Sequence, residues 1–480
     1  MMKTGSAQKI STFALVMLIT GAIDSARNLP TTALFGSSLI FFFILSTIMF
    51  LIPIALIAAE LSAAWSEEEG GIYSWVQHAF GPYYAFFTVW LQWINTIVWY
   101  PTIISFIAGT FAYLIHPELA QEKWYILTVI LVVFWSLTLL GLTGLRSSAR
   151  FAGICAVLGM LLPIGLLIFF AILWIGSGKP LAIQLDWEHI IPHWDKSQSW
   201  VSLTAIITSF LGMELAAVHV RNIKQPQKNF PRAVFFSVIL IVITMVLGSL
   251  AIAIILPKEQ IGLVQGILQA FAYFFDYYHI KYLMPLLVLT LLLGSLGSMI
   301  NWIISPAKGL LMAADQGILP QWLHKLNRHG VASRILLSQA ILVTIICSIF
   351  LLPQSINQIY WLFTALSTEL YVLMYVLMFL AAIWIKIKYK NRKRPFSIPG
   401  GQIGYFGICI LGLAGCLVAL VVGFFPPQEA LAMGSAVHFR LIFTGGIIIM
   451  VLPALFLIRY KKKEILKFAQ TEQELLNSHH

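Results

Sequence analysis

The stretch Thr20-Gly21-Ala22-Ile23-Asp24-Ser25-Ala26-Arg27-Asn28-Leu29-Pro30 interrupts an apolar run that extends from Phe13 to Phe35. An acid, a base, an amide and a proline in one membrane-length segment are costly in lipid, and belong where protein or a water-filled cavity surrounds them. A second apolar run, Trp200 to Val220, is interrupted by Ser209-Phe210-Leu211-Gly212-Met213-Glu214. A helix opened at a glycine bares N–H groups at one half-helix start and C=O groups at the other half-helix end. With their dipoles, these groups can receive a carboxylate and an ammonium or cation respectively. The paired interruptions predict a transport site. Its substrate-binding candidates are Thr20, Gly21, Ala22, Asp24 and Arg27 from the first run, and Phe210, Gly212 and Glu214 from the second. The competing reading is that Gly21 and Gly212 only let helices pack closely.

Composition sets the class. With 59% hydrophobic and 10% charged residues and a mean hydropathy of +0.88 over 480 residues, the chain has too little polar surface for a soluble protein of this size and reads as a polytopic, all-α membrane protein. The four cysteines, Cys155, Cys347, Cys409 and Cys416, all lie in apolar spans without CxxC spacing or a nearby His cluster. Neither a disulfide framework nor a zinc site is indicated, and no metal or cofactor is expected.

A hydropathy pass places twelve spans, at 13–35, 38–65, 83–115, 124–145, 151–176, 199–221, 233–256, 282–305, 333–352, 358–385, 402–425 and 437–459. Each is near the roughly 20 residues that a crossing requires. The segment from Gly262 to His279 reads as a short external helix. If both termini are cytoplasmic, 23 Lys and Arg residues fall inside and 6 outside, leaving Arg27 in the membrane; that asymmetry predicts the orientation. The net charge of +11 therefore reports topology and contact with anionic lipid, and no nucleic-acid motif accompanies it. The basic run from Lys386 to Arg394 reads as a solvated cytoplasmic loop. The charged centre of the first span is foreign to a signal peptide, so this span is expected to stay in the mature protein.

Because the interrupted spans are the first and the sixth, spans one to five and six to ten are expected to form two inverted halves, at about 10–180 and 195–390. An odd number of helices per half inverts the second copy and places both breaks at the midplane. Spans eleven and twelve, at about 400–460, lie outside this 5+5 inverted-repeat core, and 461–480 forms a short cytoplasmic tail to the single transporter domain of 1–460.

Several motifs carry a resemblance: Glu68-Glu69-Gly70-Gly71-Ile72-Tyr73-Ser74-Trp75-Val76; Phe210-Leu211-Gly212-Met213-Glu214; Ala217-Val218-His219-Val220; and Pro226 and Pro231. To these are added Asn301-Trp302-Ile303-Ile304-Ser305-Pro306-Ala307-Lys308-Gly309 and Phe396-Ser397-Ile398-Pro399-Gly400-Gly401. Together they resemble the amino acid-polyamine-organocation superfamily, and more closely its bacterial glutamate/GABA antiporter branch. The resemblance implies alternating access, with substrate held between spans one, three, six, eight and ten. It also implies exchange of amino acids or their decarboxylation products without ATP or a prosthetic group. No Walker A loop contradicts a carrier. The chain departs from the branch at Asp24, Arg27 and Asn28, and at Thr208, where some relatives place an aromatic gate. Its short tail departs from a long C-terminal plug, so substrate and pH gating do not carry over.

Each charged candidate has a bland alternative. Asp24 and Arg27, three apart, can neutralise one another on one helical face or contact substrate. Glu214 suits a cavity or coupling role, against a structural hydrogen bond. Glu369 in span ten is a proton-sensitive group or a helix-pairing residue, and His219 an interfacial histidine. Tyr73 and Trp75 suit packing beneath the pathway with a contribution to gating, against helix packing alone, and Asn301 is a further substrate-binding candidate. The expectation is an inner-membrane amino acid antiporter of glutamate/GABA type with a counter-substrate and possible proton partners. The alternatives are proton-coupled uptake of a neutral or cationic amino acid and a polytopic membrane enzyme; the loops carry only scattered His and acids, which disfavours the enzyme.

Overall fold

The computed structural model describes residues 10–68, 71–143, 154–192, 197–315, 317–426 and 436–478. Among them no strand occurs; the only bridge of that kind is an isolated one between Ile10 and Ile223. The helices that position the site are α1 (Thr12–Ile23), α2 (Asn28–Ala33), α3 (Gly36–Ala64), α4 (Ile72–Phe80), α5 (Pro82–Ile115), α6 (Lys123–Leu142), α7 (Ile154–Gly176), α8 (Ser197–Thr208), α9 (Pro226–Ala253), α10 (Gly266–Tyr277), α11 (Met284–Asp315), α12 (Ser333–Cys347), α13 (Ile356–Lys388), α14 (Gly401–Val422) and α15 (Ala436–Ser478). Among the described residues ten helices are long and apolar enough to cross a membrane. The first and sixth apolar runs are not among them, because each is cut into pieces shorter than a crossing. The chain is a multi-pass membrane protein.

Burial sorts the helices into core and periphery. In α5, 78% of the apolar window is buried inside the protein, against 11% in α15. α5 packs along both α11 and α13, while α1 packs along α9. Large side chains such as Ile172, Leu293, Ile410 and Ile449 are exposed around the outside. On a soluble protein such a surface would be an aggregation hazard; here it is the face offered to lipid. Polar residues are instead drawn inward: Asn95, Thr96 and Thr102 on α5 and Ser367 and Thr368 on α13 are all buried.

Without a hydrophobic drive between helices in lipid, close approach through small residues carries the packing. Gly159 of α7 and Gly294 of α11 lie backbone to backbone, with no room for a side chain on either. All four cysteines are buried and free. A short helix forms within 262–279 as expected, α10, and the segment from Tyr460 to Ser478 continues α15 rather than leaving it.

The basic run from Lys386 to Arg394 begins in the last turn of α13 and is not a simple solvated loop. Lys386 Nζ and Arg394 Nη1 reach the same oxygen of the fully buried Glu60, at 2.9 and 2.7 Å, and the backbone N–H of Ile398 donates to its other oxygen at 2.8 Å. Arg392 donates to the Ala64 carbonyl at 2.9 Å and lies over the Trp65 ring. These contacts fasten the end of α13 and the segment leading into α14 to the end of α3.

Candidate functional site

The first run opens at Asp24, three residues beyond the expected hinge at Gly21. α1 continues to Ile23, and Asp24 leaves it with extended backbone, φ −66° and ψ 128°. Gly21 sits inside the helix, where an added Cβ would lie 2.8 Å from the Ala156 Cβ of α7; it is a packing glycine. The carbonyls at the end of α1 are met from α11: Ser298 Oγ donates to the Gly21 oxygen and Trp302 Nε1 to the Ala22 oxygen, both at 3.3 Å. Pro30 stands in α2, which resumes at Asn28.

The second run opens where expected. α8 ends at Thr208, and a short 3-10 helix, Leu215–Asn222, follows the break. Gly212 adopts φ +108°, a conformation that side-chain-bearing residues rarely take. Its N–H donates to the Tyr375 hydroxyl of α13 at 2.9 Å.

A small cavity of about 30 Å³ lies between the two openings. Its wall is formed by Ala22, Asp24, Arg27 and Asn28 from the first opening, Thr208 and Leu211 from the second, Asn95 and Trp99 from α5, Ser298 and Trp302 from α11, and Ser367 and Tyr371 from α13. That volume holds about one water, whereas ligand pockets commonly enclose roughly 300–1,000 Å³. An amino acid enters only if the surrounding helices part.

Asp24 and Arg27 do not form an ion pair. Asp24, 3% exposed, accepts from Thr244 Oγ1 of α9 at 2.6 Å through Oδ2, and its Oδ1 is buried without a partner. Arg27, 2% exposed, donates through Nη1 to Thr102 Oγ1 at 2.6 Å and to the Tyr360 hydroxyl at 3.4 Å, while its Nε is buried without an acceptor. Its guanidinium lies 5.5 Å from the centre of the Trp99 ring, which in turn is 4.9 Å from that of Trp302. Mutual neutralisation on one helical face fails because the intervening segment is not helical and each charge is held by a different helix.

Glu214 lies behind the wall of this cavity rather than in it. Gln92 Nε2 and the Tyr371 hydroxyl donate to Oε1 at 3.0 and 2.6 Å, and the Tyr375 hydroxyl donates to Oε2 at 2.6 Å. The carboxyl group thus joins the opened sixth run to α5 and α13, with Tyr371 shared between it and the cavity. Thr208 Oγ1 and Thr368 Oγ1 are hydrogen-bonded at 2.5 Å, adding a second tie to α13.

The other sequence candidates are dispersed. Thr20 is buried and outside the lining; Phe210 is fully buried, its ring 5.7 Å from that of Phe43. Glu369 is buried outside the cavity lining, its carboxyl group filling the space beside Gly423, at the end of α14, that a side chain there would need. Tyr73 and Trp75 are buried on α4, which packs against α5 and α13. Asn301 lies in α11 and His219 in the 3-10 helix, but the side chains of both are outside the described residues, as are Glu69 and Gly70 altogether. Sequence reasoning missed the polar faces of the third and tenth spans. Their signal was helical spacing: Gln92, Asn95, Trp99 and Thr102 on one, and Thr364, Ser367, Thr368, Tyr371 and Tyr375 on the other. Among the described residues no group of His, Cys, Asp and Glu is arranged to hold a metal.

The sequence is similar to those of known transporters over most of its length. The chain is 38% identical over 452 residues to an uncharacterized transporter of Legionella pneumophila, covering 94% of this chain and 97% of that protein. It is 26% identical over 450 residues to the glutamate/gamma-aminobutyrate antiporter of Lactococcus lactis, covering 93% and 90%. A probable agmatine/putrescine antiporter of the same species is 23% identical over 405 residues, covering 82% and 83%. These similarities are to transporters, not enzymes. The amino acid permease profile matches residues 10–453, from the segment before α1 into α15, and the chain belongs to the amino acid permease family.

Proposed function

We propose that this protein is an amino acid antiporter of glutamate/GABA type in a bacterial inner membrane, working by alternating access. The observation that carries the reading is the meeting of two opened membrane runs at one polar cavity, between α5, α11 and α13. Opened helix ends recognise charged groups of a small solute without a dedicated cofactor. The antiporter relatives support exchange against a counter-substrate. In this reading the two opened runs join the ten long helices to give twelve crossings, spans one to five and six to ten form the inverted halves, and α14 and α15 stand outside them. The 23 to 6 distribution of Lys and Arg supports a reading with both termini in the cytoplasm.

The smallness of the cavity gives the conformational step its physical content: substrate enters when the opened runs swing relative to α5 and α13. Glu214 is placed to report such a swing, since its three donors come from those two helices. Movement of the sixth run breaks hydrogen bonds to a buried carboxyl group and admits water or a proton in their place. Protonation of Glu214 is therefore coupled to the cycle, and Glu214→Gln flattens the pH dependence of exchange while retaining binding.

Uptake of a panel of labelled amino acids into proteoliposomes preloaded with candidate counter-substrates tests the assignment. Accumulation that requires an internal partner supports antiport. Accumulation into empty vesicles driven by an imposed proton gradient supports proton-coupled uptake instead.

A further inference from the structure

The two charges of the first opening are unusual in what they lack. Asp24 and Arg27 are both more than nine-tenths buried, both line the cavity, and each has only neutral hydrogen-bond partners. The partners pull in different directions: Thr244 belongs to α9, whereas Thr102 and Tyr360 belong to α5 and α13. Each side chain also keeps a buried polar atom with nothing bonded to it, Oδ1 of Asp24 and Nε of Arg27. A buried ion without an opposite charge is strongly disfavoured by lost hydration, and an ion pair three residues away would have been the simplest remedy.

We infer that Asp24 and Arg27 form a charge-separated receptor for a zwitterion, in which Arg27 takes the substrate carboxylate and Asp24 its ammonium group. The inference rests on the transport reading above and narrows its substrate class: molecules carried in either direction keep one carboxylate and one ammonium group. A zwitterion supplies both missing counter-charges at once. A diamine satisfies Asp24 but sets a cation against Arg27, and a simple carboxylic acid does the reverse. The guanidinium fork suits a carboxylate through paired N–H donors, and its carbon lies over the Trp99 ring, 5.5 Å from the ring centre. The site therefore refuses agmatine- and putrescine-like amines.

Binding to the purified, detergent-solubilised protein tests this with a matched four-carbon series: GABA, butyrate, n-butylamine and putrescine, with glutamate and glutarate as a parallel acidic pair. The zwitterions are expected to bind at least about tenfold tighter than their counterparts lacking either charge, as loss of one charge-assisted contact implies. Arg27→Gln should weaken GABA at least about tenfold and erase its advantage over n-butylamine. Asp24→Asn should erase its advantage over butyrate. A purely structural pair would give equal losses for every ligand and recovery in the Asp24→Asn, Arg27→Gln double variant; that pattern overturns the inference. If a variant does not fold, the series on the unaltered protein decides: putrescine or n-butylamine binding as tightly as GABA refutes the receptor while leaving transport intact. If neither set binds, the comparison is made between whichever amino acid exchanges and its decarboxylated and deaminated forms. Absence of exchange for every amino acid counts against the transport reading, not against this one alone.

Discussion

Replacing Tyr375 by Phe should destabilise the protein more than replacing Tyr371, although both hydroxyls donate to Glu214 at 2.6 Å. Loss of either donor removes a hydrogen bond to an acidic group, a contribution of about 1.5–3 kcal/mol when the acceptor is charged. After Tyr371→Phe, Oε1 keeps its bond from Gln92, and water in the adjoining cavity can take the place of the lost hydroxyl. After Tyr375→Phe, Oε2 loses its donor and the buried N–H of Gly212 loses its acceptor as well. Stranding a buried donor costs about 1–3 kcal/mol, and that is the expected gap between the variants. Thermal unfolding in detergent can be followed with a thiol-reactive dye, since Cys155, Cys347, Cys409 and Cys416 are all buried until the helices separate. Equal losses, or a greater loss from Tyr371→Phe, would refute the account of how the sixth run is tied to α13.

Gly212→Ala places a side chain at φ +108°, with its Cβ 3.1 Å from Leu215 and 3.4 Å from Trp302; strain of about 1–3 kcal/mol should appear as weaker substrate binding with membrane abundance retained. Glu60→Gln leaves Lys386 and Arg394 without their shared carboxylate and should cost about 3–5 kcal/mol in unfolding, while substrate affinity changes less than twofold. Glu369→Gln, facing Gly423 and not the cavity, should leave both affinity and the pH profile of exchange unchanged; a flattened profile would give Glu369 the coupling role. At the loop acid Asp186, hydrogen bonds from the His189 side chain and backbone hold the carboxyl below its usual range. A depressed acid contributes its contact above its unfolded value and loses it as pH falls through the folded one, so this cap should persist on mild acidification. Titrating Asp186 by NMR checks that expectation.

The breaks were legible because polar residues stood inside apolar runs long enough to cross a bilayer. Their chemistry was legible only in part. Gly212 hinges its run because its φ demands a glycine, whereas Gly21 has an ordinary helical conformation and serves contact with Ala156; composition alone does not separate these uses. The spacing of Asp24 and Arg27 suggested a local pair, yet their partners lie 220, 75 and 333 residues away, and tertiary contacts of that range leave no mark in a single sequence. The basic run from Lys386 to Arg394 likewise looked solvated until Glu60, from a distant helix, was found beneath it. Asn95, Ser367 and Tyr371 escaped notice because a helical stripe of single polar residues is diluted by the apolar residues between them.

Antiport itself is tested most directly by following labelled glutamate into sealed proteoliposomes loaded with GABA, in the presence of a protonophore. The account predicts rapid uptake that depends on internal GABA, survives collapse of the proton gradient and is matched by GABA release. Uptake into empty vesicles that vanishes with the protonophore would contradict antiport and make the protein a proton-coupled importer.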